Sequence, residues 1–308
     1  MSFCIKRKEP FSKAIQRIGH GRIRHALECL ESCEHSESIH CARKDIKKVR
    51  AVLRLACDEI GRKDFRRVIK PLRKAAKCLA VPRDAYVRLN VLTTLKQHFK
   101  GQLAPGALQH VRARLKSASE HELKQFGKGK AAKQFLRCAN QELKALRVRG
   151  KGWKALQPGL RTAYTHARRA YQIASGDPGT ENFHEWRKCA KTLWYQVWLL
   201  QRLWPEQIEA MAGELETLSD HLGDHHDLVM LRKAIEDPSL GKMKPTEIET
   251  LNGLAEERQR ELRAAALALG ARFFAEKPSA FSDRLAGYWR IWRSKNKSSA
   301  FFSQESTP

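Results

Sequence analysis

The stretch from His40 to Arg54, HCARKDIKKVRAVLR, predicts an amphipathic helix with a cationic row beside its buried face. At about 100° per residue, its apolar positions fall within an arc of roughly 80°, which is typical of a core-facing stripe. These positions are Ala42, Ile46, Val49, Leu53, Ala56 and Ile60. A second arc of similar width, centred roughly 120° away, holds the basic side chains. Its members are His40, Arg43, Lys47, Arg50 and Arg54. A row on the flank of a helix can line a groove between neighbouring helices, whereas a row that only contacts water would more naturally lie opposite the buried face.

The charge balance of the whole chain points to a polyanionic partner. The 308 residues include 59 Lys and Arg against 33 Asp and Glu, a formal net charge of +26. Such an excess is typical of proteins that bind nucleic acid, an anionic membrane surface or a phosphate polymer. The hydrophobic content of 42% indicates a globular protein, long enough for one large domain or two of ordinary size.

The sequence does not predict membrane insertion or secretion. It contains no run of about 18 apolar residues, and its first residues, MSFCIKRKEPFSK, lack the apolar core of a secretory signal. We therefore expect a cytoplasmic protein whose eight cysteines are buried, reduced thiols. The closest pair, Cys29 and Cys33, has a helical spacing that could share a metal, but packing is the favoured interpretation. No metal and no cofactor is predicted.

Helical periodicity is nearly continuous and no strand-like alternation is sustained, so the predicted fold is all-α. Breaks are expected at 177–179, 237–238 and 277–278. RVRGKG at 147–152 is a predicted hinge, and the tail 297–308 is expected to be disordered. The predicted helices are 11–33, 37–60, 62–80, 82–100, 105–125, 130–147, 157–175, 180–204, 205–222, 224–236, 246–269 and 279–294.

An internal repeat relates two halves of the chain, about 11–147 and 153–296. A shift of 144 residues places the H-x-x-R-K-x-x-K pattern that begins at His40 on the one that begins at His184. Further along, a shift of 143 places Asp84 on Asp227. The apolar stripe recurs in the same register as Phe183, Trp186, Ala190, Leu193, Val197, Leu200 and Trp204. Repeated units usually stack to complete one core, so the halves are predicted to form a pseudo-two-fold pair.

The two copies differ in charge. Trp194 and Trp198 occupy the positions of Arg50 and Arg54, so any binding surface should be asymmetric. The helix after the first row adds a basic face, which consists of Arg66, Lys70, Arg73 and Lys77. One basic face alone would be a solvated surface. Two adjacent rows repel each other, and a polyanion between them would relieve that repulsion.

Three features leave alternatives open. Asp84 and Asp227 are expected near helix starts, where each either caps its helix or orients basic ligands. The segment from His221 to Asp227, HLGDHHD, contains the His-Asp doublet of metal phosphohydrolases, but no convincing set of metal ligands can be assigned. Core packing is the default interpretation for the tryptophans of the second copy, and base stacking stays open for Trp194 and Trp198 alone.

The duplicated H-x-x-R-x-x-x-[KR] helix resembles the CHAD family, the conserved histidine α-helical domains. Arg83-Asp84 follows the first copy, and Leu222-Gly223 with Asp227 follows the second. The resemblance covers nearly the whole chain. It implies a single domain over 1–296, with two helical bundles related by pseudo-two-fold symmetry around a basic channel that binds inorganic polyphosphate. It also implies a stand-alone module, because no E-x-E-x-K signature of a triphosphatase domain occurs.

We expect electrostatic, non-catalytic binding of polyphosphate. The expected location of the protein is the cytoplasm, at polyphosphate granules. Arginine would make forked hydrogen bonds to phosphate, lysine would add point charge, and counterion release would drive affinity. RNA or DNA binding is the alternative, with nucleic acid as a competitor, and a metal-dependent phosphohydrolase is a weaker third hypothesis. The sequence does not indicate the oligomeric state. The predicted contact residues are His40, Arg43, Lys44, Lys47, Lys48, Arg50, Arg54, Arg73, Lys77, Arg83, His184, Arg187, Lys188 and Lys191.

Overall fold

A computed structural model describes residues 2–32, 36–104, 106–126 and 129–294, and within these ranges the chain is all-α, as predicted. No strand occurs among the described residues, and the predicted tail and Cys33 lie outside them. Short 3₁₀ turns follow α2 and α9, at Cys57–Glu59 and Pro238–Leu240. The helices are α1 (Phe11–Ser32), α2 (Ser36–Leu55), α3 (Arg62–Cys78), α4 (Ala80–His98), α5 (Gln109–Phe126), α6 (Lys130–Lys144), α7 (Gly152–Gly176), α8 (Thr180–Trp198), α9 (Pro205–Ile235), α10 (Pro245–Phe273) and α11 (Pro278–Arg293).

Proline and glycine set most of the helix boundaries. Pro205, Pro245 and Pro278 each stand in the first turn of a helix, where the missing N–H would have no intrahelical partner. All three predicted breaks are confirmed as helix ends. None of the described helices is both long and apolar enough to cross a membrane.

The predicted division into helices 205–222 and 224–236 is wrong, because α9 continues through Gly223. A glycine inside a helix costs about 1 kcal/mol relative to alanine. Leu218, Leu222 and Leu228 are almost fully buried on the same helix, and their packing outweighs that cost. Asp227 therefore lies within α9 rather than near a helix start, so the capping interpretation fails for this residue.

The apolar stripe of α2 is buried as predicted. Ile46, Val49 and Leu53 are at most 1% exposed, and burying each such side chain contributes roughly 1.5–3 kcal/mol. The repeated stripe is buried along α8, but it does not extend to Trp204, which is 46% exposed. Because α8 ends at Trp198, Trp204 lies in the connection to α9 and packs edge-on against Tyr288.

Two apolar cores hold the helices together, and each contains residues from both halves of the chain. The larger core combines α1, α2, α3, α6, α7, α8 and α11 with the beginning of α9 and the end of α10. The smaller core combines α4 and α5 with the end of α9 and the beginning of α10. The cores thus do not follow the predicted boundary between the halves, and the pseudo-two-fold relation stays a prediction.

Helix α2 lies at the junction of the halves. The side-chain amide of Gln196 on α8 donates to the backbone oxygen of Ala51, at 3.1 Å. At the end of α2, Leu55 meets Gly159 of α7 so closely that a Cβ atom on Gly159 would lie 2.2 Å from the Leu55 oxygen. The absence of a side chain at Gly159 thus allows α7 to pack against α2.

The cysteines depart from the prediction of buried, reduced thiols. In the structure, a disulfide pairs Cys29 of α1 with Cys41 of α2. Cys138 on α6 is exposed, whereas Cys4 is buried as expected. The sequence did not reveal the Cys29–Cys41 pair, because the two residues are 12 positions apart and on different helices.

Candidate functional site

A cavity of about 540 Å³ opens where α2, α4, α8 and α9 meet, and we call it the four-helix cavity. It lies between the larger core, to which α2 and α8 belong, and the smaller core, to which α4 belongs. Polar side chains from all four helices line it. They are His40, Arg43, Lys44, Lys47, Arg83, Asp84, Arg88, His184, Arg187, Lys191, Glu216, Ser219, Asp220, Asp224, His226 and Asp227.

Positions that the internal repeat relates line this same cavity. The equivalent pairs in its wall are His40 with His184, Arg43 with Arg187, Lys47 with Lys191, and Asp84 with Asp227. Eight of the fourteen predicted contact residues are thereby brought together from three helices. They are His40, Arg43, Lys44, Lys47, Arg83, His184, Arg187 and Lys191.

His40 is neutral and bound to α4. The Nε–H of Arg83, in the first turn of α4, donates to Nδ1 of His40 at 3.3 Å. Burial, followed by the positive charges of Arg83, Lys47 and Lys44, lowers the pKa of His40 to about 4. Because Nδ1 accepts this bond, the ring carries its proton on Nε2, which is left as a donor.

His184, the counterpart of His40, contacts α9 instead. Its Nδ1 lies 3.1 Å from Nδ1 of His226, so one ring donates to the other. Burial and then the charge of Arg187 lower the pKa of His226 to about 3. Burial and the charge of Lys188 also lower the pKa of His184. Both rings are therefore neutral near pH 7.

Lys47 is the most strongly perturbed cation of the cavity. Burial, followed by the charges of Arg187, Arg43, Lys191 and Arg83, lowers its pKa to about 7. These cations come from α2, α4 and α8, so each of the three helices contributes to the repulsion. At neutral pH, a large fraction of Lys47 is thus uncharged while the cavity holds no anion.

Carboxylates of α4 and α9 balance part of the charge. Seven Lys and Arg face five Asp and Glu in the cavity wall. Burial raises the pKa of Asp227, although the charges of Arg187, Arg83 and Lys47 oppose that shift. Within the described residues, Lys191 is the one cavity cation with a carboxylate at ion-pair distance, 3.7 Å from its Nζ to Oδ1 of Asp220.

Some cavity donors lack an acceptor. Nη1 of Arg83 and Nε of Arg88 are buried without a hydrogen-bond partner among the described residues. Arg43 is held in place by a bond from its Nη1 to the backbone oxygen of Ala76, at 3.0 Å. An unpaired buried donor costs roughly 1–3 kcal/mol, so an anion that accepts from these arginines would stabilise the site.

Lys48 and Lys188, two of the predicted contact residues, do not line the cavity. Lys48 lies on the opposite flank of α2 from the cationic row, and its Nζ stacks over the rings of Trp198 and Phe3, at 4.7 and 5.1 Å. Lys188 is exposed and pairs with Glu185 on the same helix. The motif grouped Lys48 with Lys47 and Lys188 with Arg187. Consecutive residues on a helix point about 100° apart, so the two members of each pair need not face the same space.

Arg50, Arg54, Arg73 and Lys77 also lie outside the cavity wall. Arg50 and Arg54 continue the α2 row beyond it, where Arg54 donates to Oγ1 of Thr192 at 3.3 Å. Arg73 belongs to a second space of about 1000 Å³, which we call the α3 groove. Lys77 is exposed near the end of α3 and lines neither space. The basic residues of the α3 groove are Arg62, Arg66, Lys70, Arg73 and Lys74.

Sequence reasoning missed Arg88 and the acidic wall that α9 provides. Glu216, Asp220 and Asp224 recur every four residues, which places them on one face of a helix. This spacing could have identified the wall, but the prediction of two helices divided α9 after Leu222. His225, in the same segment, faces away from the cavity and packs on Phe183, with the ring centres 5.0 Å apart.

The segment from His221 to Asp227 does not assemble a metal site within the described residues. The four residues whose ligand atoms do converge lie elsewhere, between α1 and α2. The aromatic residues of the cavity wall offer no free face either. Trp194 and Tyr195 are 2% and 1% exposed, and their rings stack on each other with centres 4.7 Å apart.

Comparison with known proteins finds one matching family model and solved structures of similar fold. The model of one family, described as the CHAD domain, matches residues 17–236. The crystal structure of the CHAD domain from the plant Ricinus communis is similar over 88% of this chain and 94% of its own, with a TM-score of 0.61 and 14% identity. PptA from Streptomyces chartreusis is similar over 87% of this chain and all of its own, with a TM-score of 0.60 and 15% identity. No curated protein matches this chain.

Proposed function

Because the chain belongs to the CHAD family, we propose that it binds inorganic polyphosphate in the four-helix cavity and does not hydrolyse it. The family is associated with polyphosphate binding in general. The side chains of α2, α4, α8 and α9 that line the cavity would make the contacts. The paired positions of the repeat would form the two walls of one binding site.

The observation that carries the proposal is an enclosed group of cations with unused donors. Nη1 of Arg83 and Nε of Arg88 are buried without acceptors in the part of the chain that the structure describes, and burial, followed by neighbouring cations, lowers the pKa of Lys47 to about 7. In the unbound protein this arrangement is unfavourable, because like charges repel and buried donors lose their bonds to water. A chain of phosphates offsets both costs, since every phosphate carries negative charge and acceptor oxygens.

Each group has a role that follows from its chemistry. Arg43 and Arg187 offer forked donors that match phosphoryl oxygens, and Arg83 adds Nη1 while its Nε holds His40. His40 offers a neutral donor at Nε2. Asp84 and Asp227 retain the arginines in the cavity through their charge and do not contact the anion.

Nucleic acid is the alternative, and the cavity wall argues against it. Single strands are usually bound by aromatic side chains that stack on the bases. Trp194 and Tyr195, the aromatic residues that line the cavity, are buried and stack on each other. A polyphosphate has no bases, so it requires only the charges and donors that the cavity offers.

A competition experiment separates the two ligands. Fluorescently labelled long-chain polyphosphate is bound to the protein and displaced with unlabelled polyphosphate or with single-stranded RNA, at equal phosphate concentration. We expect polyphosphate to displace the probe at a concentration at least about tenfold below that of RNA. Displacement by RNA at comparable phosphate concentration would contradict a site specific for polyphosphate.

The same sample tests the absence of hydrolysis. The protein is incubated with polyphosphate in the presence of Mg²⁺ or Mn²⁺, and released phosphate and chain length are measured. We expect no release above the protein-free control. Release that is abolished by His226→Ala would instead support the phosphohydrolase hypothesis.

A further inference from the structure

Four potential metal ligands converge between α1 and α2, on the side of α2 that faces away from the cavity. His25 and Cys29 come from α1, and Cys41 and Asp45 come from α2. One ligand atom from each residue lies within 4.8 Å of the other three. On each helix the two residues are four positions apart, so they are neighbours one turn apart on the same face.

The distances are close to those of a tetrahedral metal site. Nδ1 of His25 lies 3.8 Å from Sγ of Cys29 and 3.7 Å from Sγ of Cys41. In a tetrahedral zinc site, with Zn–S of about 2.3 Å and Zn–N of about 2.0–2.1 Å, sulfur and nitrogen are about 3.6 Å apart. Oδ2 of Asp45 is 2.5 Å from Nδ1 of His25 and would need to move away by roughly 1 Å.

The two sulfur atoms are in disulfide contact, with Cα atoms 6.4 Å apart. A metal ion requires both cysteines as thiolates, so the disulfide and the metal-bound form exclude each other. A thiol or phosphine reductant must first supply two electrons to break the S–S bond, and the two thiols then lose their protons as the ion binds. Side-chain rotation that separates the reduced sulfurs to about 3.8 Å, the tetrahedral value, would make room for the ion. The helices themselves need not move far for this change.

Burial and charge suit a divalent cation. Asp45 is 3% exposed and lies 3.4 Å from Nη1 of Arg22, so its carboxylate is already oriented. Two thiolates and one carboxylate would carry three negative charges, and the divalent cation carries two positive ones. The positive charge of Arg22 offsets the one negative charge that remains. The side chain of His25 is 47% exposed, which gives an ion access from solvent.

We propose that the reduced protein binds one Zn²⁺ through His25, Cys29, Cys41 and Asp45. Thiolate and imidazole ligands select zinc over magnesium or calcium, which prefer oxygen ligands. With four protein ligands the site would be closed and structural. It would join α1 to α2 and so fix the helix whose other flank carries the cationic row. The proposal does not depend on which anion the cavity binds.

Cobalt substitution tests the site directly. The full chain is reduced with TCEP, freed of metal with a chelator, and titrated with Co²⁺ under anaerobic conditions. We expect one equivalent to produce the intense visible absorption of tetrahedral cobalt together with thiolate-to-cobalt charge-transfer bands. Added Zn²⁺ should remove both signals and raise the melting temperature.

Matched variants assign the ligands. Cys29→Ser and Cys41→Ser should lose the charge-transfer bands, whereas Cys138→Ser, which changes an exposed thiol on α6, should retain them. His25→Ala removes a half-exposed ligand with little effect on the core, so it should keep its helical circular dichroism and bind Co²⁺ at least about tenfold more weakly. This variant keeps the test decisive if a cysteine variant fails to fold.

Three results would overturn the proposal. The first is a reduced, folded protein that binds no Co²⁺ or Zn²⁺. The second is an unchanged cobalt spectrum in folded Cys29→Ser or His25→Ala. The third is peptide mass spectrometry that finds Cys29 still joined to Cys41 after TCEP treatment, because the thiolates would then not be available.

Discussion

The four-helix cavity and the α3 groove are both cationic, but they differ in how their charges are held. In the cavity, four helices enclose the side chains, and burial lowers the pKa values of Arg43, Lys47 and Arg83. In the groove, Arg66, Lys70 and Arg73 are exposed along one helix. Although the groove is larger, water and salt screen its charges more effectively. Enclosure, rather than the number of charges or the volume, should decide where a polyanion binds tightly.

The largest effect is expected from removing the paired arginines of the cavity. Arg43→Ala with Arg187→Ala deletes two charge-assisted hydrogen-bonding groups, one from each wall. At about 1.5–3 kcal/mol each, their loss should weaken polyphosphate binding roughly 100-fold or more. Titration calorimetry measures the affinity, and circular dichroism verifies the fold.

The matched control for this variant removes the same charge elsewhere. Arg161 and Arg169 are exposed on α7, away from both cationic spaces, so Arg161→Ala with Arg169→Ala lowers the net charge equally. We expect this control to change affinity by no more than about threefold. Equal losses in the two double variants would mean that net charge, and not the cavity, determines binding.

Lys47 should give the binding a pH dependence that exposed lysines do not. In the unbound protein, Lys47 loses its proton as the pH rises through about 7. A phosphate beside it stabilises the charged form and raises its pKa, so binding takes up a proton above pH 7. Affinity should therefore fall with rising pH, by at most about tenfold per unit until the pKa of the bound state is reached. Calorimetry in buffers of different ionisation enthalpy measures the proton uptake.

Lys47→Arg provides the comparison, because arginine stays charged throughout this range. The affinity of this variant for long-chain polyphosphate should be nearly independent of pH between 7 and 9. Long chains are used because they have few end groups that titrate in this range. The unbound wild type should also gain stability as the pH rises from about 7 towards 10.5, because the unfolded chain retains the proton up to that value. Identical pH profiles for wild type and variant would contradict the role of Lys47.

The sequence was sufficient for the helix class, the buried stripe of α2 and the flank that carries His40, Arg43 and Lys47. These features depend on local periodicity, which survives in any packing of the helix. Local periodicity did not predict that Lys48 and Arg50 lie outside the cavity wall. Lys48 lies on the flank of α2 opposite the cationic row, where its Nζ stacks over Trp198 of α8. Arg50 lies beyond the cavity wall, next to Ala51, whose backbone oxygen accepts from Gln196 of α8. The Cys29–Cys41 cluster depends on the register between two helices, which no spacing within one helix reveals.

Arg50 and Arg54 should have an intermediate effect, because they continue the α2 row beyond the cavity. Nε of Arg50 is buried without an acceptor in the described part of the chain, and burial, followed by the charges of Arg54 and Arg73, lowers its pKa to about 10. Arg50→Ala with Arg54→Ala should weaken binding about 5- to 10-fold and reduce the slope of log affinity against log salt by roughly 1–2. Unchanged affinity and slope in a folded variant would mean that these arginines do not face the ligand.

The smallest effect is expected from the α3 groove. Arg66→Ala with Lys70→Ala removes two exposed charges, and exposed ionic contacts contribute about 0.2–1 kcal/mol each and weaken with added salt. Affinity should fall about two- to fivefold at low salt, and the difference from wild type should vanish at high salt, whereas the loss in the Arg43 and Arg187 double variant should persist. Titrations at both salt concentrations test this contrast. If the groove variant loses as much affinity as the cavity variant, polyphosphate binds along an open surface. Nucleic acid then becomes a stronger candidate ligand, because an exposed basic face places no limit on the size of the bases.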